Sequence, residues 1–127
     1  MKKLITFAIL FSVLIFMGML DFFPWWSFSV PMFVLGATLP FKKWNISSFV
    51  WGFISGFMAW FLSTIYFEII YEGEIMSSVA KLMSLHIYLL HLIIGLIGGV
   101  LTGLGVYSGY LFRNGREVLE LQLTKSE

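Results

Sequence analysis

Long uncharged apolar runs, recurring from Leu4 nearly to Phe112 and parted only by short charged segments, constrain this chain more than any other feature. A helix rising about 1.5 Å per residue needs roughly 20 apolar residues to cross a hydrocarbon core of about 30 Å. The runs 4–20, 25–41, 49–70 and 86–112 meet or approach that length, and only 12% of the 127 residues are charged. An average soluble domain carries about 25%, so too few charges remain here to cover a surface facing water. The expected fold class is therefore all-α. Residues 1–112 form an integral membrane domain of four antiparallel transmembrane helices, and 113–127 form a short cytoplasmic tail.

The segments between the runs carry their own signals. Lys2 and Lys3 precede the first run, whose length of roughly 26 Å falls slightly short of the core and calls for lysine snorkelling. The same basic start fits a secretory signal peptide, but Met17-Gly18-Met19-Leu20-Asp21 offers no small-x-small cleavage pattern, so a retained span is expected. Residues 21–26 join Asp21, a proline that disfavours helix in the residue before it, and two indoles that prefer the headgroup level; they read as a tight hairpin. Pro31 lies near the first turns of the second span, where it allows a kink without requiring one. Lys42 and Lys43 stop that span, and Asn45, Ser47 and Ser48 are candidate caps for the third. Gly73 precedes a stretch, 74–84, whose apolar spacings of three and four predict a surface-lying amphipathic turn.

Charge sets the orientation. Lys2, Lys3, Lys42, Lys43, Arg113, Arg116 and Lys125 fall on one side of this topology and Lys81 alone on the other. The positive-inside rule puts the larger group, and with it both termini, in the cytoplasm of a bacterial cell whose inner membrane holds the chain. Trp25, Trp26, Tyr66, Tyr71 and Tyr88 then make an outer aromatic belt, and Trp44, Tyr107 and Tyr110 an inner one.

The same inventory excludes several functions. A net charge of +1, with cations scattered between apolar runs, gives no case for nucleic acid. With no cysteine there is no disulfide framework, thiolate metal site or cysteine nucleophile. Gly-x-Ser-x-Gly, His-Glu-x-x-His and phosphate-loop patterns do not occur. No span carries a charge near its middle of the kind that ion-coupled carriers use. Neither enzyme activity nor a cofactor or metal is expected.

Small residues mark where helices should meet. At about 100° per residue, Gly95, Gly98, Gly99, Thr102, Gly103, Gly105 and Gly109 share an arc of roughly 160° on the fourth span. Ser48, Gly52, Ser55, Gly56, Ala59 and Ser63 share about 100° on the third. In lipid, apolar side chains gain nothing by leaving the acyl tails, so close backbone approach supplies the attraction. These faces are expected to pack the third and fourth spans together within the protomer, with a homo-oligomer interface as the alternative use.

Ionisable residues gather near the outer interface. Asp21, Glu68, Glu72 and Glu74, with His91, form a candidate polar cluster able to hold a cation or pass protons, and Glu68 and His91 are its deepest members. The blander reading keeps both at the headgroup level, with Glu68 hydrated and His91 hydrogen-bonded between helices. His86 projects from the opposite helix face to His91, which excludes a two-histidine metal motif on a straight helix.

Pro24-Trp25-Trp26-Ser27, Gly36 to Pro40, Gly56-Phe57, Leu96-Ile97-Gly98-Gly99, and Gly103 before Gly109 and Arg113 together resemble a small, uncharacterised four-span membrane protein family of Bacteroidetes. The resemblance covers most of the chain and brings no activity with it. Gly52-Phe53-x-x-Gly56 followed by Ser63-Thr64 and Glu68 faintly resembles the third helix of fluoride channels, but the spacing differs and the first span lacks their glycine- and arginine-bearing signature. Small multidrug transporters share the length and span count, yet need an acid well inside the first helix, where Asp21 stands at the end. The functional expectation is a non-enzymatic subunit that scaffolds or modulates a membrane complex, with membrane lipids as neighbours. The alternative is a small homo-oligomeric channel or transporter whose polar path runs beside Thr102. A third reading, lipid handling at the outer interface, rests on the Pro24-Trp25-Trp26 hairpin and the amphipathic turn.

Overall fold

The computed structural model describes residues 1–20 and 22–127, with Trp25 described by its backbone alone. Asp21 and the Trp25 indole, assigned above to the polar cluster and the outer belt, lie outside the described residues. The described chain is all-helical. Its elements are α1 (Lys2–Gly18), a 3-10 turn (Trp25–Phe28), α2 (Ser29–Thr38), α3 (Phe41–Trp44), α4 (Ser48–Ile70), α5 (Glu74–Leu82) and α6 (Ile87–Ser126).

Two of these, α4 and α6, are long and apolar enough to cross a membrane. Neither N-terminal run matches them. Helix α1 has 17 residues, and the expected second span divides into the four-residue 3-10 turn, the ten-residue α2 and the short α3. The division has a local cause: Leu39 precedes Pro40 and is forced to an extended conformation (φ −71°, ψ 137°), which ends α2. Pro31 sits in the first turn of α2, where a missing N–H costs little, and α2 continues past it to Thr38. Helix α6, by contrast, runs on through the tail to Ser126, and its 40 residues extend about 60 Å.

Three helices close by one device. Gly73 N–H donates to the Glu68 carbonyl, Leu85 N–H to that of Ala80 and Ile46 N–H to that of Phe41, each a bond reaching back five residues. The geometry requires a left-handed residue just before the donor, and Glu72, Ser84 and Asn45 take that conformation with φ of 53°, 54° and 53°. Ser47 stands at the N-cap of α4, but no side-chain capping hydrogen bond forms there.

Helix α6 packs along α4 on one side and α2 on another, while α1 lies mainly against α4. Contacts between α4 and α6 run in opposite chain directions: Gly52 faces Gly103, Gly56 faces Gly98 and Thr102, and Phe57 and Phe61 face Gly95. Those between α2 and α6 run together, from Met32 at Gly105 to Ala37 at Gly109, so α2 and α6 are parallel. Leu10, Leu14, Phe28, Met32, Phe41, Ile46, Ala59 and Val106 fill the interior.

The helices are not level. Arg113 and His91 are separated by roughly 33 Å along α6. Phe28, at the start of α2, packs edge-on against Trp60, with ring centroids 5.5 Å apart, and Trp60 covers Gly98. That level is only roughly 22 Å up from Arg113. The start of α2 therefore lies about two thirds of the way from Arg113 to His91 along α6.

Candidate functional site

The glycine face of α6 divides between two partners. A methyl group at Gly95, Gly99 or Gly103 would meet Phe57, Phe53 or Phe49 of α4 at 3.0–3.1 Å, and one at Gly98 would enter the Trp60 ring. On the other flank, a methyl at Gly105 would meet Met32 at 3.3 Å and one at Gly109 would collide with the Phe33 carbonyl of α2. The facing surface of α4 is equally bare: methyls at Gly52 and Gly56 would meet Gly103 Cα at 3.0 Å and the Thr102 hydroxyl at 2.5 Å. Gly36, not singled out among the packing glycines in the sequence, has the Val106 backbone in the place of a side chain. Its signal was there, since Gly36-Ala37 is a small pair four residues before a proline.

This register carries two ionisable side chains together at the far end. His91 Nε2 lies 2.5 Å from Glu68 Oε2. The imidazole is almost wholly buried, at 5% side-chain exposure, whereas the carboxylate keeps 32%. With Nε2–H donating to the carboxylate, a neutral imidazole holds its bare lone pair on Nδ1. That atom is buried and has no hydrogen-bond partner among the described residues. The pair ties α4 to α6 at this end of the bundle.

The other described members of the expected cluster do not join it. Glu72 and Glu74 are exposed, and the Glu72 backbone forms the left-handed closure of α4. Among the described residues no three His, Asp or Glu side chains converge as a metal site. His86 is exposed at the N-cap of α6 and stacks on Tyr88, 5.3 Å between centroids, away from His91.

At the opposite end Arg113 performs a role that the sequence reading missed. Its Nη1 donates to the carbonyls of Thr38 and Leu39, at 3.0 and 3.3 Å, and its Nε lies 3.4 Å from Glu117 Oε1. Helix ends leave carbonyls without intrahelical partners, and Pro40 has no N–H to offer them. The available signal was Pro40 itself, though it does not say which distant cation responds.

Four buried hydroxyls are satisfied inside their own helices. Thr6, Ser55, Thr64 and Thr102 donate to the carbonyls of Lys2, Trp51, Phe61 and Gly98 respectively. No family model, curated protein or solved structure matches the chain.

Proposed function

We propose that the chain is a four-span protein of the bacterial cytoplasmic membrane, with both termini in the cytoplasm, and that it acts as a non-enzymatic scaffolding or modulating subunit of a membrane complex. The observation that carries this reading is the division between inner and outer faces. Glycines and hydroxyls are turned inward and matched there, while large apolar side chains such as Ile54, Met58, Leu62, Leu96, Val100 and Leu104 stand exposed around the bundle. Only 22% of the apolar window of α4 and 44% of that of α6 is buried within the protomer, unlike the core helices of a soluble protein. A surface of this kind suits lipid and the flanks of other membrane helices.

The channel reading needs the α6 glycine face as a path. That face is filled by Phe49, Phe53, Phe57 and Trp60 on one side and by Met32 and Phe33 on the other, and the Thr102 hydroxyl is engaged by Gly98. Purification of a tagged chain in mild detergent tests the two readings. A subunit co-purifies in fixed stoichiometry with one or more unrelated membrane proteins, and liposomes holding the chain alone pass no ions. Ion flux from those liposomes that Gly99→Leu alters would establish the channel reading, and a silent monomer would contradict both.

A further inference from the structure

Where α2 gives way to α3, a groove of about 370 Å³ opens between the 39–43 turn and residues 110–117 of α6. Lys42 and Lys43 stand exposed along it, opposite Tyr110, Arg113 and Asn114. Glu117 also lines the groove, but Arg113 lies against it at 3.4 Å, so those two charges largely cancel. Among the described residues neither lysine has a carboxylate within salt-bridge distance. The groove therefore carries a net excess of two positive charges.

Its other contents fit a ligand that is half apolar. Phe41 is buried beneath the groove and meets the Tyr110 ring edge-on at 6.3 Å. Tyrosine favours the level where headgroups meet acyl chains, with its ring in the apolar part and its hydroxyl toward water. Arg113 is held in place by the α2 carbonyls and does not have to be ordered by a ligand. Basic pockets between membrane helices on the cytoplasmic side are suited to anionic headgroups. We propose that this groove binds a phosphate group, and that the phosphate belongs to the headgroup of an anionic phospholipid of the cytoplasmic leaflet. Lys42 and Lys43 supply the charge, Tyr110 and Asn114 supply hydrogen bonds, and the 39–41 turn receives the first part of the acyl chain. The lipid source rests on the membrane reading above; the phosphate chemistry does not.

Native mass spectrometry of the full chain in a neutral detergent tests the groove. Phosphatidylglycerol is expected to bind as a discrete first adduct that phosphatidylcholine does not match. A lysine near an anionic headgroup contributes roughly fivefold in affinity, so Lys42→Gln with Lys43→Gln should weaken that adduct roughly thirtyfold. Lys42→Arg with Lys43→Arg, which keeps the charges, should hold it. Lys2→Gln with Lys3→Gln, an equal loss of charge outside the groove, should change it by less than about twofold. Equal losses in the two glutamine pairs, or equal binding of phosphatidylcholine, would overturn the proposal. Inorganic phosphate that binds as tightly, with the same dependence on Lys42 and Lys43, would overturn the lipid assignment in favour of a free phosphate. Carbonate extraction of native membranes reads the membrane claim separately: release of the chain would remove that claim and leave the mass-spectrometric result to decide the phosphate site.

Discussion

His91 shows how much one residue depends on a single partner. Its imidazole is buried between α4 and α6, with one nitrogen hydrogen-bonded to Glu68 and the other without a partner among the described residues. Glu68 is the more exposed of the two and has room to turn out of the contact when its partner is removed. Replacement is therefore expected to be unequal. Glu68→Leu strands a buried imidazole and should cost about 1–3 kcal/mol, whereas His91→Leu should cost less. The double variant replaces both polar groups with apolar ones and should lose less than the sum of the two, because a satisfied pair and an apolar pair are nearly equivalent. Unfolding of the purified chain in detergent micelles measures all three, and strict additivity would mean that the pair is not coupled. The two residues were legible as the deepest members of the expected polar cluster. Their pairing was not, because it follows from the antiparallel register of two helices.

Among the elements, α6 organises the bundle because it has two bare flanks. The glycines facing α4 recur at intervals of three and four, which makes that contact readable from the sequence. The α2 contact is harder to read, since its partner helix is cut short by Pro40 and stabilised by Arg113, more than 70 residues away. The helix closures were only half legible. Gly73 announces a break and is itself left-handed, but the turn begins one residue earlier, on Glu72, a residue type with no preference for it. Two glycines of α6 give a direct comparison. A methyl at Gly109 would strike the α2 backbone, whereas one at Gly115 would meet open space. Gly109→Ala should destabilise the bundle by about 1–3 kcal/mol through forced backbone movement. Gly115→Ala should be neutral or stabilise it by up to about 1 kcal/mol through helix propensity. Thermal melts of the two variants in one detergent check this, and equal effects would contradict the packing described for α2 and α6.

The whole molecule is two long helices with a shorter pair beside them. Helices α4 and α6 are long and apolar enough to cross a bilayer, while the shorter α1 and α2 lie against α4 and α6 respectively. A four-span arrangement therefore asks the bilayer or the chain to adjust around the first hairpin, by thinning, snorkelling of Lys2 and Lys3, or tilt. The apolar runs made four crossings the natural expectation. What they could not convey is that the second run would divide into a 3-10 turn, the ten-residue α2 and the short α3. Both the four-span and the two-span arrangement put residues 3, 43 and 125 on one side and residue 81 on the other, so only the first hairpin distinguishes them. The chain has no cysteine, which makes single-cysteine labelling direct. Phe22→Cys, at an exposed position in that hairpin, is compared with Lys81→Cys and Lys43→Cys in intact cells treated with a membrane-impermeant maleimide. Four crossings predict labelling at positions 22 and 81 and protection at 43 until the membrane is opened; protection at position 22 alongside labelling at 81 would contradict the four-span account.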